Sequence, residues 1–276
     1  MKFDLRRLVY AALGLALATL AWATLVEPRR LVIHRVELPL PRVPSGLQGL
    51  RIALLSDLHV GSPHWGIERL PELVARANAE SPDLIVLAGD YISGVRFGTK
   101  VPPEAIAVEL ARLHAPLGVI AVLGNHDVWF DGARVANAFE AHGVRVLENE
   151  IAMLTHRGTD FCVLGLADQE MRPHRVREAL ELVPPGVFAL AVVHEPDTLT
   201  ELDARIALTL AGHTHGGQVN LPFFGRLIVP SNFGARFAAG HVTFEGRHMF
   251  VTTGIGTSIM PLRFRVPPEI AVLTLR

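Results

Sequence analysis

The sequence predicts an α/β domain built on a buried, largely parallel sheet, preceded by a transmembrane helix. Three observations predict it: short continuous apolar runs recur along the chain, segments with apolar residues at helical spacing lie between them, and five of the runs stop abruptly at polar residues. Half of the 276 residues are apolar and 19% are charged, so the chain can bury a substantial core and is neither low-complexity nor a small disulfide scaffold. Lys and Arg number 26 against 27 Asp and Glu, a net charge of -1, and no nucleic-acid partner is expected from that balance. Cys162 is the only cysteine, which excludes intramolecular disulfides and thiolate metal clusters.

Leu8 to Val26 is an uncharged run behind Lys2, Arg6 and Arg7, long enough to cross a hydrocarbon core as a single-pass helix in the cell membrane. Ala21-Trp22-Ala23 also fits a signal-peptide cleavage pattern, so export after cleavage is the alternative. Arg29, Arg30 and Arg35 on the far flank balance the three near cations, which leaves both membrane orientations open. Pro28, Pro39, Pro41 and Pro44 bracket Val32, His34, Val36 and Leu38, an alternating stretch that reads as an edge strand. Residues 1–30 are therefore read as anchor or signal segment and linker, and 31–276 as the folded domain.

The runs then follow in order. RIALLSDLH ends in Asp57 and His59, DLIVLAGD in Asp90, GVIAVLGNHD in Asn125, His126 and Asp127, VFALAVVH in His194, and IALTLAGHTH in His213 and His215. Ile67, Leu70, Val74 and Ala77 recur at helical spacing, as do Ile106, Leu110 and Leu113 after Pro102-Pro103. A parallel sheet collects the residues at the carboxyl ends of its strands into one crevice. Aspartate, asparagine and histidine without cysteine suit manganese, iron or zinc, and one carboxylate can bridge two such ions. In Asp57-Leu58-His59 and His213-Thr214-His215 one residue separates the two ligands, and an extended backbone would aim both to the same side. Taken singly, each residue is as well explained as a cap or turn residue; seven ligand-capable residues at five strand ends are not.

These blocks, D-x-H, G-D, G-N-H-D, a lone histidine and G-H-T-H in that order, resemble the calcineurin-like metallophosphoesterases from Leu50 onward. The run Gly212 to Gln218, G-H-T-H-G-G-Q, is similar to their membrane-associated bacterial branch. The resemblance implies a four-layer αββα sandwich, two mixed sheets flanked by helices. It implies two divalent ions, one held by Asp57, His59 and His215, the other by Asn125, His194 and His213, with Asp90 bridging. His126 would be the catalytic histidine that contacts phosphate and protonates the leaving oxygen, with Asp127 orienting it. The implied activity is hydrolysis of a phosphoester or pyrophosphate bond in a phosphorylated small-molecule or lipid-linked substrate. UDP-2,3-diacylglucosamine pyrophosphatase of lipid A synthesis is the more specific alternative, and a non-catalytic scaffold on the same fold the less favoured one. Val144 to Leu147, Met153 to His156, Phe161 to Leu166 and a hairpin at Glu245-Gly246 supply a second set of strands.

Residues off these blocks read more plainly. Asp168 ends another apolar run and suits a substrate contact as well as a turn, and Arg172, Arg175, Arg177, Arg263 and Arg265 suit a solvated surface as well as phosphate recognition. His64 and Trp65 suit a loop anchor, and His34, His114, His142, His156, His174, His241 and His248 are read as surface or satisfied core residues. Phe223, Phe224, Leu227 and Ile228 suit core packing or a lipid-facing loop.

Overall fold

A computed structural model describes residues 5–94, 97–168 and 175–276; Arg172 and His174 lie outside them. The five apolar runs form β2 (Arg51–Leu55), β3 (Leu84–Ala88), β4 (Val119–Val122), β8 (Phe188–Val192) and β9 (Ile206–Ala211). One sheet has the order β1-β12-β2-β3-β4-β5, with β1 (Val32–Leu38) parallel to β12 (Glu269–Leu275) at one edge and β5 (Arg145–Val146) at the other. The second has the order β10-β11-β9-β8-β7-β6, drawing β6 (Glu150–His156), β7 (Thr159–Gly165), β10 (Gly240–Phe244) and β11 (Arg247–Val251). Each sheet has a parallel centre, β2-β3-β4 in one and β7-β8-β9 in the other, with antiparallel pairs outside it. Both are mixed. The β10-β11 hairpin turns on Glu245 and Gly246, both at positive φ, the backbone that tight hairpins need.

Alternation along the strands produces the layers. Ile52, Leu54, Val86, Val122, Leu190, Val192, Leu208 and Leu210 share one buried cluster between the sheets. Ala53, Leu55, Ile85 and Leu87 face the other way, against Leu73 and Ala77 of α2 (Leu70–Ala79), Ile106 and Leu110 of α3 (Pro103–Leu110), and Val135 and Phe139 of α4 (Asn125–Glu140). On the far side, Cys162, Leu164, Ala189 and Ala191 pack with Val176, Ala179 and Leu180 of α5 (Val176–Leu180). Helices, sheet, sheet and helices make the αββα sandwich.

The first helix, α1 (Leu5–Ala21), continues through a wider turn at Trp22–Val26, and Leu5–Arg29 is long and apolar enough to cross a membrane. Its side chains stand exposed until Ala23, Glu27 and Pro28, which are buried against the body. Three hydrogen bonds fasten this end: Arg263 N–H donates to the Ala23 carbonyl at 2.9 Å, Val266 N–H to Glu27 Oε1 at 2.6 Å, and Trp65 Nε1–H to the Pro28 carbonyl at 2.9 Å. Trp65 is thus the loop anchor that its position suggests, with His64 Nε2 3.0 Å from the Pro261 carbonyl.

Candidate metal centre

Asp90, Asn125, His126, His213 and His215, from three of the five polar strand ends, line one cleft of about 530 Å³ at the carboxyl ends of the parallel centres, and Asp57, His59 and His194, from the other two, are buried beside them. Asp57 and His59 follow β2, Asp90 follows β3, Asn125 and His126 begin α4 after β4, His194 follows β8, and His213 and His215 follow β9. One sheet supplies the acids, Asn125, His59 and His126; the other supplies His194, His213 and His215.

Extended backbone does not aim these side chains, contrary to the expectation for the one-residue spacings. Asp57, His59, Asp90, His213 and His215 have φ of 54°, 41°, 59°, 68° and 51°, a left-handed conformation that non-glycine residues seldom adopt. Neighbouring loops hold them there: Asp57 N–H donates to the Gly89 carbonyl at 2.9 Å, His59 N–H to the Asp90 carbonyl at 3.0 Å, and His213 N–H to both oxygens of Asp57 at 3.1 Å. Gly124 is required at its place, since a Cβ there would collide with Asp90 Oδ1.

Ring nitrogens and carboxylate oxygens converge with short gaps. Asp90 Oδ2 lies 3.5 Å from His59 Nε2 and 3.3 Å from His194 Nε2. His215 Nε2 lies 3.4 Å from Asp57 Oδ1 and 3.2 Å from His59 Nε2, and His213 Nδ1 lies 3.2 Å from His194 Nε2. Nδ1 of His59 and of His194 approach the Ile92 and Ala88 carbonyls at 3.2 and 2.7 Å; a carbonyl only accepts, so each Nδ1 donates and turns Nε2 toward the centre. Among the described residues, Asn125 Oδ1 is buried without a hydrogen-bond partner. Such an oxygen is costly to leave alone and suits a cation.

The electrostatics agree with that donor set. Asp57, Asp90 and Asp127 are all buried. Burial pushes the Asp57 carboxyl up to about 6 and lowers His59 and His213 to about 4. Burial also opposes a charge on His194, yet the Asp90 carboxylate outweighs it and raises this imidazole well above its ordinary value. Burial would likewise raise Asp90, but the neighbouring histidines, His194 foremost, hold it far below the usual carboxylate range. The centre calls for positive charge beside Asp90, and divalent ions on O and N donors fit that demand.

Asp127 differs from expectation. Instead of orienting His126, its carboxylate accepts four backbone hydrogen bonds: Oδ2 from Asp90 N–H at 2.8 Å and Gly124 N–H at 3.0 Å, Oδ1 from Tyr91 N–H at 2.8 Å and Ile92 N–H at 3.0 Å. Asp127 therefore pins the Asp90 loop onto the start of α4. His126, half-buried, donates its own N–H to Asp90 Oδ1 at 2.9 Å, and its ring stands edge-on to His59 with centroids 4.8 Å apart. Its ring centroid lies 4.9 Å from that of Trp129, which also lines the cleft. His59, Asp90 and His126 each offer a ligand atom within 4.8 Å of the others, so His126 stands close to the metal donors.

The sequence pattern misses Glu195. It joins His194 and His213 in a possible ligand group, with a buried Oε1 that lacks a hydrogen-bond partner among the described residues; its place directly after His194 is the one available signal. Arg263, read as solvated or phosphate-binding, is fully buried and donates to the carbonyls of Gly256, Val266 and Thr253 at 2.6 to 3.1 Å. It braces the loop behind His215, whose Nδ1 is 3.4 Å from Nη2. Asp168 is buried, His34 pairs with Glu269, and His241 pairs with His248 on the surface.

Known proteins resemble this chain along most of its length. Residues 50–217 match the family model described as calcineurin-like phosphoesterase. The metallophosphoesterase YkuE of Bacillus subtilis is 32% identical over 258 residues, covering 92% of this chain and 89% of the relative. UDP-2,3-diacylglucosamine pyrophosphatase LpxG of Chlamydia trachomatis is 28% identical across 92% of both chains. Among solved structures, the 5′-nucleotidase precursor of Thermus thermophilus superposes with a TM-score of 0.50 at 17% identity, over 74% of this chain and 48% of that one. This last likeness is one of fold, and the chain spans about half of that protein's length.

Proposed function

Because the chain belongs to the calcineurin-like phosphoesterase family, a family of metal-dependent hydrolases, we propose that its cleft holds two divalent ions and hydrolyses a membrane-associated or lipid-linked phosphoester or pyrophosphate. Asp57, His59 and His215 would hold one ion, Asn125, His194 and His213 the other, and Asp90 would be shared between them. The carrying observation is the buried Asp90 Oδ2, 3.5 Å from His59 Nε2 and 3.3 Å from His194 Nε2, which are turned inward by Nδ1 bonds to carbonyls. Ions bound there supply Lewis acidity to a phosphoryl oxygen and a nucleophile from water at neutral pH. Manganese, iron and zinc all suit the donor set.

The chain's own groups divide the remaining work. Asp127 fixes the Asp90 loop through four N–H bonds, and Asp90 Oδ1 fixes His126 through one more. That positions the His126 ring beside the cleft to contact phosphate and to pass a proton to the leaving oxygen. The decisive experiment is elemental analysis of the purified chain together with hydrolysis of generic mono- and diesters, with and without chelator. Two ions per chain and chelator-sensitive turnover are expected; an intact, metal-free chain without turnover would favour the scaffold reading.

A finer reading names the substrate as UDP-2,3-diacylglucosamine, supported by the likeness to LpxG along nearly the whole chain. Release of lipid monophosphate from that compound, followed by ³¹P NMR, tests it. The helix Leu5–Arg29 anchors the enzyme at the cell membrane in this reading, on a side that neither flank decides.

A further inference from the structure

We propose that the apolar loops around the mouth of the metal cleft insert into the bilayer that the first helix crosses, so that the cleft opens directly onto lipid. The inference rests on reading the cleft as the site of lipid-linked phosphoester hydrolysis, and it adds the surface by which substrate enters. Phe223, Phe224, Leu227, Ile228, Ile259 and Met260 are 104%, 75%, 67%, 76%, 74% and 52% exposed. Six large apolar side chains on neighbouring loops make a patch that a soluble surface rarely carries without a partner. Core packing of Phe223 to Ile228 is thereby excluded. Ile228 and Ile259 line the cleft itself, together with Asn125, His126 and His213.

What identifies the partner is the attachment of these loops to the helix. Phe223 and Phe224 sit on a small hairpin closed by reciprocal Leu221 and Gly225 backbone bonds of 2.9 and 2.8 Å. That hairpin continues from Gln218 to Asn220, which pair with Phe264: Phe264 N–H donates to the Gln218 carbonyl and Asn220 N–H to the Phe264 carbonyl, both at 2.9 Å. Gln218 also ties in the other loop, donating from Nε2 to the Met260 carbonyl at 3.1 Å and accepting at Oε1 from Ser258 N–H at 2.7 Å. One residue from Phe264, Arg263 N–H donates to the Ala23 carbonyl, where the exposed helix meets the body. Both apolar loops are therefore joined, through a few backbone bonds, to the point where a crossing helix leaves the hydrocarbon. Trp22, Leu25 and Val26 are exposed at this same end, and so are the cations Arg29, Arg30 and Arg265, an arrangement suited to an interface with anionic headgroups.

The test places the full chain in phosphatidylcholine vesicles containing phosphatidylglycerol. An environment-sensitive fluorophore is attached at Phe224→Cys, with Met153→Cys, exposed on the far sheet edge, as control; the native Cys162 is buried. A blue shift and quenching by lipids labelled near the headgroup are expected at position 224 and not at 153. Equal exposure of the two labels to water overturns the proposal, and this readout does not depend on turnover. A triple variant, Phe223→Ser with Phe224→Ser and Leu227→Ser, should slow cleavage of vesicle-borne phosphatidic acid about tenfold, a loss of positioning, while keeping its rate on a soluble nitrophenyl ester. Equal losses on both substrates would mean that the loops merely support the cleft. Absence of turnover in the unsubstituted chain would refute the phosphoesterase reading and leave the quenching result to decide the docking.

Discussion

Asp127→Asn isolates the aspartate that holds the centre together without being assigned to metal. Its four acceptor contacts, 2.8 to 3.0 Å long, are shared two per oxygen among the N–H groups of Asp90, Gly124, Tyr91 and Ile92, and the side chain is fully buried. An amide offers one oxygen and one NH₂ group, so in either flip two buried N–H donors face a donor. At about 1–3 kcal/mol for each unsatisfied group, the substitution should cost roughly 2–6 kcal/mol. For a chain of this size that corresponds to a fall in Tm on the order of 5–20 °C. Differential scanning calorimetry of the detergent-solubilised chain measures it, with Asp131→Asn as control, an exposed aspartate that accepts one backbone bond at 3.1 Å. A shift of less than about 2 °C, equal to the control, would refute the pinning role. Burial and the charge of Asp90 push the Asp127 carboxyl up to about 7, while the bonds from Gly124 and Ile92 pull it down. The asparagine tests which wins, since a protonated aspartate would already tolerate the exchange.

Asp90→Asn should lower bound metal and abolish turnover; two ions per chain with near-normal rates would reject the bridge. His126→Ala should keep both ions and lower kcat about 10²- to 10⁴-fold on an alkyl ester, and less on a nitrophenyl ester whose leaving group needs no proton. Equal ratios on the two esters would reject the acid. Removing residues 1–20 should release a folded, water-soluble chain, whereas removing 1–30 orphans the buried donors Arg263 N–H, Val266 N–H and Trp65 Nε1–H, each worth about 1–3 kcal/mol; equal stability of the two truncations would count against this docking. The hydrogen bond to Glu269 raises His34 above 6.5, so its stabilising contribution is full below pH 6.5 and is lost as the pH rises through the higher folded value. Urea titrations should show that loss flattened in His34→Ala, and an unchanged slope would reject the pair as its source.

The five strand ends were legible in the sequence because local pattern and tertiary role coincide there: a buried parallel strand must be apolar throughout, and the first polar residue after it marks the crevice. Register within the two sheets and the antiparallel outer strands were only partly legible, since β6 and β7 alternate in burial less regularly than their pairing does. The roles that Asp127, Arg263 and Glu195 take were not legible, for one common reason. Each has its role fixed by atoms distant in sequence, or by one neighbour whose direction depends on the turn. Asp127 is in hydrogen-bond contact with residues 36 and 37 positions before it, and Arg263 braces a histidine 48 positions before it. The exposure of Phe223 to Ile228 was invisible on the same ground, because apolar residues on a loop look alike in a core and on a membrane.

The left-handed backbone at the centre links stability to function. Five of the seven assigned ligands have φ between 41° and 68° without being glycine, at about 1–2 kcal/mol each, so the fold carries on the order of 5–10 kcal/mol of local strain at one site. Extended residues would have been cheaper, but an extended chain would run on past the strand ends instead of turning back over them. The left-handed turns bend the loops after β2, β3 and β9 so that carboxylate and imidazole meet over the ends of the strands. Bonds from one loop to the next offset the strain: Asp57 to Gly89, His59 to Asp90, Gly212 N–H to the His194 carbonyl at 3.1 Å, and Gly256 N–H to the Asp57 carbonyl at 2.6 Å. Because these are backbone bonds, the loops stay shaped whatever occupies the cleft, and arriving ions would find donors already oriented. The cost of gathering buried carboxylates is thus met in folding, and the free energy of metal binding is left for affinity and chemistry.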